Sequence, residues 1–300
     1  MTTTAETWQH RQIITNGIRM HYVIQGEGPL IVLLHGFPEF WYSWRHQIPF
    51  LAEHGYTVVA PDLRGYNETE KPYQGYDVQT LTRDIAGLIK ELGQEKAIIA
   101  GHDWGGALAW VLPMRYPNLV EHLIILNAPH PWAFMRELRT FKQIRKFWYA
   151  IFFQIPWLPE FLLRRNNARL IAQAIYNTAV QKSAFPPEVL LRYQEAMSKP
   201  GAMTSAINYY RASFRATFNL RPSRTAAGRT NPIINTPTLL IWGEQDVALD
   251  IALTHSLEQW VPNIQIHRIP DSGHWVQQEK PEEVNTVILE FLTRLSGRIN

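Results

Sequence analysis

Cysteine is absent from the 300 residues of the chain. Disulfide bonds, metal sites built from thiolates and a cysteine nucleophile are therefore excluded. The first residues also lack a basic stretch followed by an apolar one, so the sequence shows no secretory signal. No apolar run approaches the ~18–20 residues that a membrane-spanning helix needs. We therefore expect a cytoplasmic protein without a membrane span.

Strong charge of one sign is also missing, since the formal net charge is only +3 and the pI is near 9.0. A nucleic-acid-binding protein normally has a concentrated basic face, so we expect no nucleic-acid partner. The densest basic stretch, 136–153, is interpreted as a lid helix with a solvated basic side; a helix lying on a membrane surface is the alternative. Neither a metal-binding spacing nor a dinucleotide fingerprint occurs. We expect no metal and no cofactor.

Short apolar runs alternate with helical segments along most of the chain, and 46% of the residues are hydrophobic, which suffices for a large core. The predicted strands are 12–16, 20–25, 29–36, 57–62, 96–100, 122–129, 236–243 and 264–270, and the predicted helices are 43–53, 79–92, 104–116, 250–260 and 281–295. The first two strands form a hairpin around an Asn-Gly turn. The alternation predicts an α/β fold, with a mostly parallel sheet and helices on both faces.

The alternation stops between about 130 and 225. This region contains no clear strand, many aromatic residues and several proline-rich breaks. It is predicted to be an inserted helical cap, 130–225, above a core domain formed by 1–129 and 226–300. A cap over the carboxyl edge of the sheet covers the place where open α/β sheets bind ligands.

The stretch GHDWGG, 101–106, has the pattern of a nucleophile elbow, in which a strand turns sharply into a helix. Small residues around the turn permit it. The usual nucleophile is serine, but this chain has Asp103. The helix N-terminus favours an anion there, and an aspartate is ionised at pH 7, so it can attack without a base. The alternative interpretation is that Asp103 only caps the helix.

Two further residues follow predicted strands. Asp246 comes after the strand 236–243, and His274 comes after the strand 264–270. Together with Asp103 they have the chain order nucleophile, acid, histidine that is typical of α/β-hydrolases. A lone loop histidine is more often a plain surface residue, but three strand-end residues in this order favour a catalytic triad.

The backbone N–H groups of Phe37 and Trp104 form the predicted oxyanion hole, and the Phe37-Pro38 step favours a cis bond. A carboxylate can attack an sp³ carbon and form an ester whose carbonyl belongs to Asp103. His274, oriented by Asp246, then activates the water that attacks this carbonyl. The pattern predicts cleavage of a C–O or C–halogen bond at an alkyl carbon.

Six motifs together resemble the soluble epoxide hydrolases of the α/β-hydrolase superfamily: HGFPE, PDLRGY, GHDWGG, NAPHP, WGEQD and DSGHWVQQEKPEEVN. The resemblance extends from about 10 to 295. In that family, two cap tyrosines hydrogen-bond the epoxide oxygen and protonate it as the ring opens. The resemblance assigns these roles to Tyr149 and to Tyr210, with Tyr209 as a packing neighbour. Packing within an aromatic core is the alternative for each tyrosine.

The resemblance implies an enzyme that converts a small apolar epoxide and water into a vicinal diol through an ester on Asp103. Haloalkane dehalogenases share the aspartate elbow and use a tryptophan like Trp104 as a halide ligand, so a dehalogenase is the first alternative. A non-catalytic binding protein with a hydrolase fold is the second. The expected pocket residues are His35, Pro38, Trp41, Trp132, Tyr209 and Trp275. The physiological substrate and the oligomeric state remain open.

Overall fold

Eight strands form one sheet in the computed structural model, which describes residues 7–218, 233–295 and 297. The strands are β1 (Gln9–Thr15), β2 (Ile18–Gln25), β3 (Leu30–Leu34), β4 (Thr57–Pro61), β5 (Ala97–His102), β6 (Val120–Leu126), β7 (Thr238–Gly243) and β8 (Ile264–Ile269). Their order across the sheet is β1-β2-β4-β3-β5-β6-β7-β8. β2 pairs antiparallel with β1 and β4, and the other neighbours are parallel. The predicted fold class, an α/β fold with a mostly parallel sheet, is confirmed.

The burial of each strand follows from its place in the sheet. β3, β5 and β7 are buried at every position, as expected for parallel strands whose two faces are covered. β1, at one edge, is exposed over most of its length. It joins β2 through Asn16 and Gly17, which both have positive φ, 44° and 78°. A two-residue hairpin turn requires this backbone, and the predicted hairpin is confirmed.

Helices separate the strands of the parallel part of the sheet. The helices of the described residues are α1 (Gln47–Glu53), α2 (Val78–Glu91), α3 (Asp103–Arg115), α4 (Pro131–Glu137), α5 (Phe141–Lys146), α6 (Trp148–Phe152), α7 (Leu158–Thr178), α8 (Pro187–Ser198), α9 (Ala202–Phe218), α10 (Val276–Glu279) and α11 (Pro281–Leu295). α2 shows how the sequence specifies them. Asp77 accepts a hydrogen bond from the N–H of Thr80 at 3.0 Å and so caps the helix. Its buried residues Leu81, Ile85 and Leu88 recur at helical spacing.

One helix prediction is wrong, and another is corrected in detail. Of the predicted helix 250–260, only Ile251–Thr254 is helical, as a 3₁₀ turn. Ser256 then has a φ of 56°, which is incompatible with a continuing right-handed helix. The predicted helix 43–53 is divided into a 3₁₀ turn, Trp41–Trp44, and the helix α1.

Between β6 and β7 the described residues form helices and connecting loops but no strand. Helices α4 to α9 and one 3₁₀ turn, Lys182–Ala184, occupy this segment. We call 131–218 the cap segment. Within α7 the backbone leaves the helical conformation from Arg165 to Ala168. The predicted domain boundary at 225/226 lies outside the described residues. Among the helices described, none has the length and hydropathy to cross a membrane.

Candidate active site

Asp103 stands at the point where β5 passes into α3, and its φ is 49°. The tight turn depends on glycines at which the backbone approaches very closely. A Cβ atom on Gly105 would lie 2.1 Å from the carbonyl oxygen of Leu34, and one on Gly101 would lie 2.4 Å from that of Gly105. Only glycine fits these positions. The elbow therefore holds the Asp103 carboxyl at the carboxyl end of an interior strand.

The Asp103 carboxylate is bound by the two N–H groups that the sequence predicts as an oxyanion hole. The Phe37 N–H donates to Oδ1 at 2.8 Å, and the Trp104 N–H also interacts with the carboxylate. The Phe37-Pro38 bond is cis, as expected. Burial raises the pKa of Asp103, and the charges of His274 and His102 and the two N–H groups oppose this rise only in part. Asp103 thus accepts a hydrogen bond from Phe37, which lies outside α3, in addition to its interaction with the Trp104 N–H in the first turn of α3.

His274 and Asp246 form a tight pair beside Asp103. The His274 Nδ1 atom lies 2.7 Å from Asp246 Oδ2, and its Nε2 atom lies 3.7 Å from Asp103 Oδ2. Burial lowers the pKa of His274, but the charge and hydrogen bond of Asp246 outweigh burial, and the charge of Asp103 adds to them. The pKa of His274 is therefore raised to about 9. The three residues of the predicted triad are brought together, with the imidazole between the two carboxylates.

Asn127, which the sequence analysis did not single out, holds Asp246 in place. It follows β6, has a φ of 38°, and donates from Nδ2 to Asp246 Oδ2 at 2.8 Å. Its Oδ1 atom accepts the N–H of Gly243 at 2.9 Å. The N–H groups of Ala248 and Leu249 donate to the other oxygen of Asp246 at 2.7 and 2.9 Å. The sequence signals for Asn127 are its place at the start of the NAPHP motif and its position at the end of the strand next to the elbow strand.

A second buried pair, Glu39 and His102, supports the backbone of His274. His102 contacts the carbonyl oxygen of His274 through Nε2 and the carboxylate of Glu39 through Nδ1, each at 2.8 Å. Glu39 also accepts hydrogen bonds from the side chains of Gln277 and Gln278. Burial raises the pKa of Glu39, but the charge and hydrogen bond of His102 outweigh burial and lower it overall. Both residues lie in the HGFPE and GHDWGG motifs, although the sequence analysis gave them no role.

Tyr149 on α6 and Tyr210 on α9 lie on the cap side of Asp103. Their ring centroids are 5.8 Å apart, and the ring planes are nearly perpendicular. Burial raises the pKa of both hydroxyls far above the usual value, and the charge of Asp103 raises it further. Both tyrosines are therefore neutral phenols that can donate a hydrogen bond. Tyr210 also packs edge-on against Trp104, with centroids 5.1 Å apart.

These groups open into a cavity of about 410 Å³ between the sheet edge and the cap segment. The lining is mostly apolar, which suits a small lipophilic molecule. It consists of Phe37, Pro38, Asp103, Lys146, Trp148, Tyr149, Phe152, Phe153, Leu163, Ile171, Ala174, Ile175, Thr178, Tyr210, Val247, Ala248, His274 and Trp275. Of the six expected pocket residues, Pro38 and Trp275 belong to this lining.

The other four expected pocket residues, His35, Trp41, Trp132 and Tyr209, do not line the cavity, so this part of the prediction is corrected. His35 is fully buried and accepts the N–H of Leu63 at 3.0 Å. Trp41 packs against Trp8 and His10, and Trp132 lies beside His130. The Tyr209 hydroxyl donates to the carbonyl oxygen of Arg64 at 2.8 Å. In each case the side chain packs against, or forms a hydrogen bond with, residues outside the cavity lining.

Helix α5 fastens the cap segment to the loop that carries Asp246. Lys146 donates to the carbonyl oxygens of Asp246 and Leu249 at 2.7 and 3.3 Å. Gln143 donates to the carbonyl oxygen of Ala248 at 3.1 Å and accepts the N–H of Asp250 at 3.0 Å. Val247 and Ala248 line the cavity. The contacts of α5 with this loop therefore connect the cap segment to the part of the lining that follows β7.

Comparison with known sequences gives related proteins over almost the entire chain. The profile of the α/β-hydrolase fold family matches residues 29–281. The chain is 41% identical over 283 residues to the AB hydrolase superfamily protein YfhM of Bacillus subtilis. This match covers 93% of this chain and 96% of that protein. It is 39% identical over 292 residues to epoxide hydrolase 4 of Homo sapiens, covering 94% of this chain and 77% of that protein.

Solved structures of other proteins have the same fold as this chain. A variant of the epoxide hydrolase of Bacillus megaterium, complexed with its product (R)-3-(1-naphthyloxy)propane-1,2-diol, superposes with a TM-score of 0.85. The two chains are 34% identical, and the match covers 94% of this chain and 100% of that one. Sequence and structure comparisons therefore agree.

Proposed function

Because the chain belongs to the epoxide hydrolases of the α/β-hydrolase superfamily, we propose that it converts an apolar epoxide and water into a vicinal diol through an ester on Asp103. One observation carries the proposal. A single apolar cavity contains a buried carboxylate, an imidazole and two neutral phenols, from Asp103, His274, Tyr149 and Tyr210. These are the groups that a two-step nucleophilic opening of an epoxide requires.

In the first step, Asp103 Oδ2 attacks an epoxide carbon and the C–O bond of the ring breaks. Oδ1 is held by the Phe37 N–H, so Oδ2, which is nearer to His274, is the oxygen free to attack. The departing oxygen receives a hydrogen bond and then a proton from Tyr149 or Tyr210. Charge of Asp103 raises the pKa of both phenols. Ester formation removes that charge, so each phenol becomes a stronger acid when the alkoxide needs its proton.

In the second step, water hydrolyses the ester. Nε2 of His274 takes a proton from the water, which attacks the ester carbonyl carbon. The bond between this carbon and Oδ2 then breaks, His274 returns the proton to the departing oxygen, and the diol leaves. The second proton of the water restores the tyrosine that was deprotonated in the first step. The N–H groups of Phe37 and Trp104 stabilise the negative charge that develops on Oδ1. The Asp103 charge contributes to the raised pKa of His274, so its loss in the ester lowers that pKa. The imidazole thereby becomes a base at the stage that uses one.

The two alternatives fit this cavity less well. A halide leaves as a stable anion and needs no proton, whereas the cavity contains two buried phenols. The Trp104 ring, which a dehalogenase would aim at halide, is packed against Tyr210 and does not belong to the cavity lining. A non-catalytic binding protein has no use for an imidazole held between two carboxylates.

The test is a comparison of two substrates. The product bound by the Bacillus megaterium enzyme is a naphthyloxy diol, so naphthyl glycidyl ether is a suitable epoxide, and bromohexane is a suitable halide. We expect diol formation from the ether and no bromide release from bromohexane, and we expect Asp103→Ala to form no diol. Bromide release without diol would move the chain to the dehalogenases. If the folded protein forms neither diol nor bromide, the non-catalytic binding protein becomes the explanation.

A further inference from the structure

The cap segment exposes a concentrated set of large apolar side chains. Eight of them lie between 141 and 161, no more than four residues apart along the chain, and we call them the cap patch. They are Phe141, Ile144, Trp148, Ile151, Ile155, Trp157, Leu158 and Phe161. Phe141 is 81% exposed, Trp157 80% and Trp148 64%. Scattered exposed apolar residues are ordinary, but a continuous group marks an interaction surface.

The exposure follows helical spacing and is therefore built into the sequence. Phe141 and Ile144 lie three residues apart on α5, and Trp148 and Ile151 lie three residues apart on α6, so each pair shares one side of its helix. Ile155 follows α6. All five are apolar and exposed. The opposite side packs against the rest of the protein: Gln143, Ala150 and Phe153 are buried, and Gln143 donates a hydrogen bond to the loop that carries Asp246. These short helices thus have an inner side that packs on the protein and an apolar outer side.

Positive charge is concentrated in the same part of the chain. Between 131 and 176 there are eight lysines and arginines and two glutamates, whereas the whole chain has a net charge of only +3. Both glutamates are paired with arginines within the protein, Glu137 with Arg136 and Glu160 with Arg211. The exposed basic residues, which we call the cap basic group, are Arg139, Lys142, Arg145, Arg164, Arg165 and Arg169. Of these, Lys142 is paired with Asp250. The rest of the chain is correspondingly acidic.

We propose that the cap patch docks on the surface of a bilayer that contains anionic lipids. Exposed tryptophan and phenylalanine side chains are suited to the boundary between headgroups and acyl chains. Basic residues beside them are attracted to anionic headgroups over a distance of about one Debye length. The protein then lies on the membrane, with the cap facing the lipid and the acidic remainder of the chain facing away. Docking itself uses none of the reacting groups at Asp103, and Trp148 is the one member of the cap patch that also lines the cavity.

Charge favours lipid over a second copy of the chain as the occupant. A twofold interface brings the same surface of both subunits together. Here it would place one cap basic group against another, and like charges oppose such an arrangement. An anionic bilayer satisfies the apolar side chains and the positive charge at the same time.

The cavity reaches the protein surface at the cap patch. Trp148 belongs both to the cap patch and to the cavity lining and is 64% exposed, and Val247, also in the lining, is half exposed. A docked protein would therefore take a lipophilic molecule from the bilayer without passing it through water. This consequence, unlike docking itself, rests on the proposed epoxide hydrolysis.

Docking is tested by sedimentation of the protein with vesicles, without substrate. We expect binding to phosphatidylcholine vesicles that contain phosphatidylglycerol, weaker binding to phosphatidylcholine alone, and loss of binding in high salt. The variant F141S/W157S should lower the partition coefficient by on the order of tenfold for each side chain. The control I14S/Y73S removes two exposed apolar side chains from outside the cap and should bind like the wild-type chain. Thermal unfolding verifies that all variants are folded.

A second set of variants tests the charge. R139Q/R145Q/R169Q, which removes half of the cap basic group, should weaken binding to the anionic vesicles by roughly fivefold per charge removed and lower the salt dependence by about half. The control R11Q/R83Q/K90Q removes three charges outside the cap and should have little effect. Absence of binding to anionic vesicles, or equal binding by cap and control variants, would overturn the proposal. So would a dimer that dissociates in F141S/W157S, because the cap patch would then be a subunit interface. Naphthyl glycidyl ether turnover, measured separately, reports on the proposed function alone.

Discussion

His274 and Asp103 face each other without a hydrogen bond, since Nε2 and Oδ2 are 3.7 Å apart. The other ring nitrogen of His274 is held by Asp246 at 2.7 Å, so the orientation of the imidazole is fixed from behind. Asp103 is free to attack a substrate, and Nε2 is directed at the carboxyl group that the attack would convert into an ester. This separation assigns the two proposed steps to different residues, which makes them separable by experiment.

The proposed ester on Asp103 predicts where oxygen from water is incorporated. In a single turnover in ¹⁸O-labelled water, with enzyme in excess, the label should enter the Asp103 carboxylate, because water attacks the carbonyl of that residue. Mass spectrometry of the peptide containing Asp103 measures this, and the peptide containing Asp246 serves as the internal control. Label found in the diol alone, with unlabelled Asp103, would show that water attacks the epoxide directly.

His274→Gln should stop the reaction at the ester. Glutamine retains much of the size of the side chain but cannot take a proton from water, whereas alkylation needs only Asp103 and a proton donor. Intact mass spectrometry after incubation with naphthyl glycidyl ether should show the protein plus one substrate mass. The adduct should be absent in the double variant with Asp103→Ala. A folded His274→Gln variant that is inactive and forms no adduct would place His274 in the first step.

The fold and the meeting of Asp103, Asp246 and His274 were predictable because each leaves a regular signal in the sequence. Buried parallel strands read as apolar runs, and their carboxyl ends lie at one edge of the sheet. Asp103, Asp246 and His274 each follow such a run, so they could be expected to meet. The helix expected at 250–260 failed because apolar spacing there does not reveal the left-handed backbone of Ser256.

The sequence predicted less well which individual side chains enter the cavity, because this depends on the direction in which each side chain points. Tyr209 and Tyr210 are adjacent on α9, and neighbouring helical residues point about 100° apart. One binds the carbonyl oxygen of Arg64 and the other enters the cavity. Residue type alone did not show that Tyr209 points away from the cavity. Asn127 was missed for a related reason, since an asparagine after a strand gives no sign that it will bind Asp246.

The raised pKa of His274 predicts a contribution to stability that depends on pH. In the folded protein the pKa is about 9, and the ordinary value is 6.5. A raised pKa means that the folded state holds the proton more tightly, so the contribution is complete below pH 6.5. It is lost as the pH rises from 6.5 through 9. Urea unfolding should show a larger fall in unfolding free energy over this interval for wild type than for His274→Gln. Parallel pH dependences would mean that the folded protein does not raise this pKa.

The two cap tyrosines separate epoxide chemistry from halide chemistry. An alkoxide is a poor leaving group until it receives a proton, so Tyr149→Phe and Tyr210→Phe should each slow alkylation of Asp103. The expected loss is roughly 10²–10⁴-fold, or less where the remaining tyrosine substitutes. Rapid-quench measurement of the ester isolates this step. Hydrolysis of an ester already formed should change little, because that step uses His274.

Tyr209→Phe is the matched control for these variants, since it removes a neighbouring buried hydroxyl that does not reach the cavity. It breaks the hydrogen bond to the Arg64 carbonyl oxygen and should lower the unfolding free energy by about 1 kcal/mol, with alkylation unchanged. The Tyr149→Phe/Tyr210→Phe double variant should be folded and nearly inactive on epoxides. Epoxide turnover at the wild-type rate in that variant would reject the role of the tyrosines. Bromide release that the double variant retains would favour dehalogenation, because a halide departs without the proton that the two phenols supply.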